Sequence, residues 1–471
     1  MTATADAGPI ESRSLPGPGV DALLADGDVV VIRALQADDH DALLDLHRRA
    51  DANSLRLRFF TANPAAGQQY AEGLVARLAE VIALVAARRG LLIGVAVAEP
   101  IRADAAEVAF LVDPIAQGLG IGTLLLEHLA AAARDHGVGR FVAEVLAENG
   151  PMIKVFADAG FGYRRTMDHG VISLELDTVA SANAVAAADA RECSAEARSL
   201  APLLRPRSVA IVGVRRDGSG VGRAVLQSIT HGGYTGAVRL VHPQQPVIEG
   251  IRAERDFGSM PEPVDLAIVA VPAVRVLPVI TEAARAGVRA AVVLASGFSE
   301  LGENGRALQH EMVRVARRYG MRIVGPNCLG VIIGDPELRL NATFVDELPP
   351  PGGLAVASQS GGVGIALIDA AVRSGLGVQS FISLGNKADV SGNDLLGAWL
   401  DDDRVTAAAL YLESFGNPRK FARLARRFTE RKPLLAVIGG RSAGGRRAVP
   451  RTPPQPRRRR SASRRSSPRP V

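Results

Sequence analysis

Gln117, Gly118, Leu119, Gly120, Ile121 and Gly122 sit between an apolar run, Val108–Val112, and a helical pattern at Leu124, Leu125, Leu129 and Ala132. Glycines let a backbone approach an anion, and the open N–H groups of a first helical turn point at it. A strand, a glycine-rich turn and a helix start therefore predict a phosphate site. Glu107 lies upstream at the head of the same strand. A carboxylate there can take a proton from an incoming amine. If that carboxylate is partly desolvated its pKa rises toward neutrality, which suits it to the task.

A second set of residues repeats the phosphate theme. The strand-like Ser208–Val212 runs into Gly213, then Gly218, Gly220 and Gly222. The spacing is not that of a dinucleotide fingerprint. The following strand ends in Val241, His242 and Pro243, without the acid that holds an NAD ribose, so NAD is not expected. Further along come Ser296–Glu300, Gly325–Gly330 with Asn327 and Cys328, and Ser358, Gln359, Ser360, Gly361 and Gly362. The last group lies between the predicted strand Leu354–Ala357 and a helix, where its amides can cradle a phosphoryl group. Leu384–Asp389 and Tyr411–Ser414, with Glu413, complete the series. Cys328, beside Pro326–Asn327, reads first as a small buried side chain. Trp399 reads as core.

The spacing Gln-x-x-Gly-x-Gly, with Asn149 and Val155–Phe161, resembles the GNAT superfamily of N-acetyltransferases over Val29–Leu176. The resemblance implies that the amides of Leu119 to Gly122 hold the pyrophosphate of acetyl-CoA. It implies that the pantetheine arm adds beside Phe110, Leu111 and Val112, that Glu107 is the base, and that Asn149 positions the pantetheine or the helix packed on it. Arg56, Arg58, Phe59 and Phe60 resemble a motif of protein-acetylating members. Phe156 stands where many members have a tyrosine that protonates the departing thiolate, which leaves that role unassigned. The later motifs, over residues 201–445, resemble the CoA-binding and ligase domains of NDP-forming acyl-CoA synthetases, relatives of succinyl-CoA synthetase. In those ligases a glutamate like Glu413 orients a phosphohistidine. The matching position here falls in Val449–Thr452, and no histidine follows His310. A nucleotide-binding ATP-grasp segment is also missing, so the chain alone is not expected to make acyl-CoA from ATP.

GNAT joined to such a module resembles the bacterial protein lysine acetyltransferases of the Pat type, apparently truncated. The resemblance implies acetyl transfer from acetyl-CoA to a protein lysine, a CoA-ligase enzyme being one such partner, with the second module a CoA sensor or inert. Two alternatives stand beside it: a subunit or fragment of an NDP-forming acetate–CoA ligase, and a small-molecule amine acetyltransferase. No metal is expected.

Elements that position these residues follow from the hydrophobic pattern. Strands alternating with helices imply parallel sheets. The expected fold class is α/β: a GNAT acyltransferase fold (28–178), a linker (179–200), a Rossmann-like CoA-binding domain (201–335) and a flavodoxin-like ligase domain (340–445). Residues 1–27 and 446–471 are expected to lack structure. At 471 residues the chain is too long for a single core. Two cysteines exclude a disulfide framework and point to a reducing, cytoplasmic setting. Neither a signal peptide nor a membrane span is expected. The net charge of +6 belongs to the tail, where Pro450–Val471 carries eight arginines and no acid and the rest stands at −2. That tail lacks aromatics for stacking on bases, so a nucleic-acid partner is not expected. Its abrupt switch to Pro, Arg and Ser near Ala448 predicts a frame change or truncation in the gene.

Overall fold

The computed structural model describes residues 19–179, 181–215, 219–345 and 348–439, arranged around three sheets. The first has eight strands. In spatial order they are β1 (Val20–Leu23), β2 (Val29–Ala34), β3 (Ile82–Arg88), β4 (Leu91–Arg102), β5 (Ala105–Val112), β6 (Arg140–Leu146), then β8 (Val171–Asp177) and β7 (Tyr163–Asp168). Helices α1 (His40–Arg49), α2 (Ala52–Phe59) and α3 (Pro64–Ala76) precede β3, α4 (Ile121–Asp135) follows β5, and α5 (Gly150–Asp158) follows β6. Strand alternation decides which residues each layer covers. Val85, Val95, Val97 and Leu111 belong to a core with α1 and α3; Leu84, Ala96, Ala98 and Val108 belong to a core with α4 and α5.

The expectation of an unstructured segment through residue 27 is corrected. β1 pairs antiparallel with β2, from Val20↔Ile32 to Leu23↔Val29. Its four residues are too short to stand out from an Ala/Gly/Pro-rich background.

The second sheet has seven strands, and its core is parallel: Ala237–Val241, Ser208–Val212, Leu266–Val269, Ala290–Val293 and Arg322–Val324 lie in that order. Leu266–Val269 and Ala290–Val293 are buried throughout, as strands covered on both faces must be. The third sheet has six strands. Gly330–Ile333 pairs antiparallel with Val378–Ser383 and with Leu340–Thr343. The boundary expected at 335 therefore moves: Gly330–Ile333 follows the second sheet in the chain but belongs to the third by hydrogen bonding.

Helix α6 (Ala182–Ser199) occupies the expected linker, capped by Ser181, whose hydroxyl accepts from Ala184 N at 3.0 Å. Its charges are not scattered. Asp189, Glu192 and Glu196 fall at helical spacing on one face and reach the third unit. Arg423 meets Asp189 at 3.0 Å, and Lys420 meets Glu192 at 2.7 Å and Glu196 at 3.5 Å. Glu196 also accepts from the buried Arg322 at 2.9 Å, and Arg322 continues to Asp389 at 3.1 Å. Arg317 extends the network to the first sheet, pairing with Asp389 at 2.8 Å and with Asp21 of β1 at 2.5 Å.

Burial, followed by the nearby Asp394 carboxylate, pushes the Glu196 carboxyl up to about 8. Folded protein thus holds a proton there that the unfolded chain releases near 4.5. The stabilisation is complete below that value and gone above about 8, so stability falls as pH rises through the window. Urea unfolding between pH 5 and 8 should show that slope, and Glu196→Gln should flatten it.

Candidate active sites

β5 and β6 run parallel but pair only through Ala105↔Arg140, Ala106↔Phe141 and Glu107↔Val142. Beyond Glu107 they part, and Val108–Val112 keeps a backbone edge that no strand of the sheet fills. A flat, amide-bearing chain can add there like a strand. Phe110 and Val112 are half-buried and Leu111 is buried, so the contact on this edge is made by main chain.

The turn after β5 has the predicted geometry. Gly118 and Gly120 have φ of +79° and +84°, which other residues adopt at a cost. Gly120 is the N-cap of α4, and no side chain caps the helix. The first-turn N–H groups of Ile121 and Gly122 are therefore not taken by a cap. Gln117 braces the turn: its amide donates to the Ser54 hydroxyl at 3.2 Å and the Val112 carbonyl at 3.5 Å. The Leu119 carbonyl accepts from Ala25 N at 3.0 Å, tying the turn to the N-terminal strand. Leu119 and Gly120 also line a cavity of about 500 Å³ shared with α6, Arg317, Arg322 and Lys420. Gly122 lets α5 approach, because a Cβ there would stand 3.3 Å from Val155. Asn149 is the N-cap of α5, accepting from Met152 N at 3.1 Å. Phe156 is core, edge-on to Phe110 with ring centroids 6.0 Å apart.

Glu107 is exposed on β5, which corrects the expectation of a partly desolvated carboxylate. The strand hairpin brings up a residue that sequence reasoning misses. Glu99 lies directly across from Glu107. The Tyr70 hydroxyl donates to Glu99 at 2.8 Å and Arg77 donates at 3.1 Å. Burial pushes the Tyr70 phenol up to about 12, so it stays a donor. Hairpin symmetry about Ala103 was the available signal, since it pairs 99 with 107.

In the second unit, Gly213 has φ +100°, and a Cβ there would lie 2.4 Å from the Ala270 carbonyl. A Cβ on Gly222 would lie 2.5 Å from the Gly213 carbonyl. Strand end, helix start and the neighbouring strand thus meet backbone to backbone, and Gly220, φ +94°, opens the helix without a side-chain cap. Gly218 lies outside the described residues. Ser296 is exposed beside Gly297, φ +111°. Glu300 accepts from Gly297 N at 2.6 Å and Phe298 N at 3.2 Å. Burial would raise its carboxyl, but the Asn386 amide and these N–H groups outweigh it and hold the pKa below the usual value. Asn386 donates to Glu300 at 2.5 Å and to Gln309 at 3.1 Å, and accepts from Asn327 at 3.3 Å.

The next residue carries the cluster into the third unit. Lys387 donates to the Ser414 carbonyl and hydroxyl at 2.6 and 2.7 Å, and burial pulls its ammonium pKa down. Gln359 accepts from Glu413 N at 2.6 Å and Ser414 N at 3.0 Å. Ser358 is buried and bonded to Ser360, which caps the Gly361–Arg373 helix by accepting from Val363 N. Glu413 is exposed. Asn386 and Lys387 fall in the Leu384–Asp389 motif read from the sequence, whereas Gln309 joins the cluster from outside every such motif.

Cys328 is the small buried residue that the packing reading expects, and its place in the second phosphate site is corrected. Its thiol is buried against the Val293 carbonyl at 3.4 Å, and burial pushes it up to about 12, so it offers no thiolate. Val449–Thr452 and the expected frame change near Ala448 lie outside the described residues. Among the described residues, no helix is long and apolar enough to cross a membrane, and no group of His, Cys, Asp and Glu is placed to hold a metal.

Comparison with known proteins agrees with the three-part fold. Residues 49–161 match the acetyltransferase (GNAT) family, 207–334 a CoA binding domain, and 351–453 the succinyl-CoA ligase like flavodoxin domain. The chain is thus an α/β protein with a GNAT domain, a Rossmann-like CoA-binding domain and a flavodoxin-like ligase domain. It is 36% identical over 255 residues to the acetate–CoA ligase [ADP-forming] I subunit alpha of Pyrococcus furiosus, which covers 53% of this chain and 55% of that protein. The chain therefore spans about half the length of that relative. A dinucleotide-forming acetyl-coenzyme A synthetase 1 from Ca. Korarchaeum cryptofilum, solved with phosphate and ADP, is 38% identical, covering 53% of each chain with a TM-score of 0.50. The GNAT domain of S. lividans PAT is 36% identical, covering 34% of this chain and 96% of that one with a TM-score of 0.31.

Proposed function

We propose that residues 207–439 are the CoA-handling part of an NDP-forming acyl-CoA ligase, working as a subunit or piece of a longer enzyme, with acetate as the acid. The observation that carries this reading is the continuous chain of contacts Gly297–Glu300–Asn386–Lys387–Ser414–Gln359. It joins the glycine-lined end of the CoA-binding sheet to the start of the Gly361–Arg373 helix. The ADP-forming acetate–CoA ligase activity named for the relative supports it. In such chemistry the CoA sulfur attacks an acyl phosphate, forming the thioester and releasing phosphate. The Lys387 ammonium and the amides of Gly361 and Gly362 are suited to hold that phosphate, and the Gly213–Gly222 turn to hold CoA. The test is calorimetry with CoA, with Gly222→Val as control, and ADP release from acetate, CoA and ATP once a nucleotide-binding ligase subunit is added. Absence of both overturns the reading.

A second reading concerns the first domain and is favoured by the parting of β5 and β6 at Glu107. Here the acetyl group of acetyl-CoA passes to an amine, by family resemblance a protein lysine. Glu107 takes the amine proton, nitrogen bonds to the carbonyl carbon, and CoA leaves as thiolate. With Phe156 in the core, no hydroxyl at that position protonates the sulfur, and an alkyl thiolate, with a pKa of about 8.5, can leave unassisted. Labelled acetyl-CoA with a cell lysate, followed by mapping of modified lysines, tests it. Transfer only to a small amine such as spermidine would replace the protein acceptor.

A further inference from the structure

This inference rests on both readings above, with phosphate at Lys387 and acetyl-CoA at the glycine turn of the first domain. The loop that carries Lys387 also carries Asp389, and main-chain bonds hold the stretch taut. Asn386 N donates to Pro326 O at 2.9 Å, Ala388 N to Gly325 O at 3.0 Å and Val390 N to Ile323 O at 3.0 Å. Lys387 stands among them at φ +54°, a backbone conformation that a lysine seldom adopts. The two oxygens of the buried Asp389 have different partners. One accepts from Arg322 Nε at 3.1 Å and Ile323 N at 2.8 Å, which pins it to the second sheet. The other accepts from Arg317 Nε at 3.0 Å and Nη2 at 2.8 Å. The remaining Arg317 nitrogen, Nη1, donates to Asp21 of β1 at 2.5 Å. β1 runs into a turn closed by Leu24 N on Asp28 O at 2.8 Å, and Ala25 N in that turn donates to Leu119 O at 3.0 Å. Contacts thus run without a break from the loop of Lys387 to the glycine turn. Asp21, Leu119, Gly120, Arg317 and Asp389 all line the cavity of about 500 Å³, so this route borders open space rather than packed core.

We propose that Asp389, Arg317 and β1 couple the two sites, so that phosphate bound at Lys387 weakens acetyl-CoA binding at the glycine turn. Phosphate held between the Lys387 ammonium and the Gly361 and Gly362 amides draws the loop toward the Gly361–Arg373 helix. A taut loop passes that pull on to Asp389, which turns about its pinned oxygen. Arg317 serves two carboxylates at once, so it follows Asp389 only by leaving Asp21. β1 then loses its tie to the second unit, and the glycine turn loses the support that Ala25 gives Leu119. The effect is mutual: acetyl-CoA weakens phosphate binding by the same factor.

The test titrates the full chain with inorganic phosphate, followed by phosphorus NMR, and with acetyl-CoA by calorimetry, each with and without the other at constant ionic strength. Saturating phosphate should weaken acetyl-CoA binding about fivefold, and acetyl-CoA should weaken phosphate binding equally. Lys387→Met should abolish the effect, which separates it from phosphate seated on the glycine turn itself. Asp21→Asn should keep phosphate binding, weaken acetyl-CoA binding without phosphate present, and remove the mutual effect. If Asp21→Asn does not fold, Arg317→Lys, which reaches one carboxylate but not both, decides in its place. An effect that persists in Lys387→Met, or in the relay variant, overturns the proposal. Mutual indifference of two ligands that both bind also overturns it and leaves both readings standing. Phosphate that does not bind takes the Lys387 site down with the proposal, and acetyl-CoA that does not bind takes down the acyl-transfer reading instead.

Discussion

Arg322→Met should lower the unfolding free energy by about 3–5 kcal/mol, read as a fall in the urea midpoint at constant slope. Arg322 is almost fully enclosed, with Glu196, Asp389 and the Ser199 hydroxyl on its guanidinium and Asp394 at 3.8 Å. Burial alone would pull its pKa down, but the surrounding carboxylates outweigh that and raise it. Methionine fills much of the volume and removes the charge, so the cost is that of the buried Asp389 and Asp394 carboxylates left without a counter-ion rather than of a void. A triple variant with Asp389→Asn and Asp394→Asn should recover much of the loss. A single variant as stable as the parent would show that Lys420 and Arg317 suffice.

Glu107→Gln should reduce kcat for acetyl transfer by about 10²–10⁴-fold, while leaving acetyl-CoA affinity within a factor of about two. The amide keeps the shape and the strand but cannot accept the amine proton. The glycine turn lies at the far end of β5, where Gly118, Gly120 and the uncapped helix start are untouched. A fall in affinity with unchanged turnover would mean that Glu107 helps form the donor site instead. Unchanged turnover and affinity together would remove it from the mechanism.

Legibility in the sequence followed the range of each interaction. The turn at Gly118–Gly122 was readable because its requirement is local: positive φ at two glycines and a helix beginning at once. Trp399 was readable as core, whereas the capping of α5 by Asn149 and the burial of Phe156 emerged only from the fold. Glu99 was hidden because the apolar run ends at Ala98, whereas the strand continues to Arg102 on hydrogen bonds that any residue can make. The acidic face of α6 was present as the spacing 189, 192 and 196, but its meaning depends on Arg423, Lys420 and Arg322, which lie more than a hundred residues away in the chain. Lys387 needed a φ of +54° as well as a distant Ser414, and neither follows from residue type.

One ladder constrains how the chain can be divided. Gly330–Ile333 leaves the second sheet and immediately pairs with Leu340–Thr343 and Val378–Ser383. A gene cut at residue 335 would strip the Val378–Ser383 strand of a neighbour and strand the donated segment on a fragment with nothing to bind it. Both units should therefore melt in one step and be inherited together, and any shortened version made for crystallisation has to carry them as a single piece.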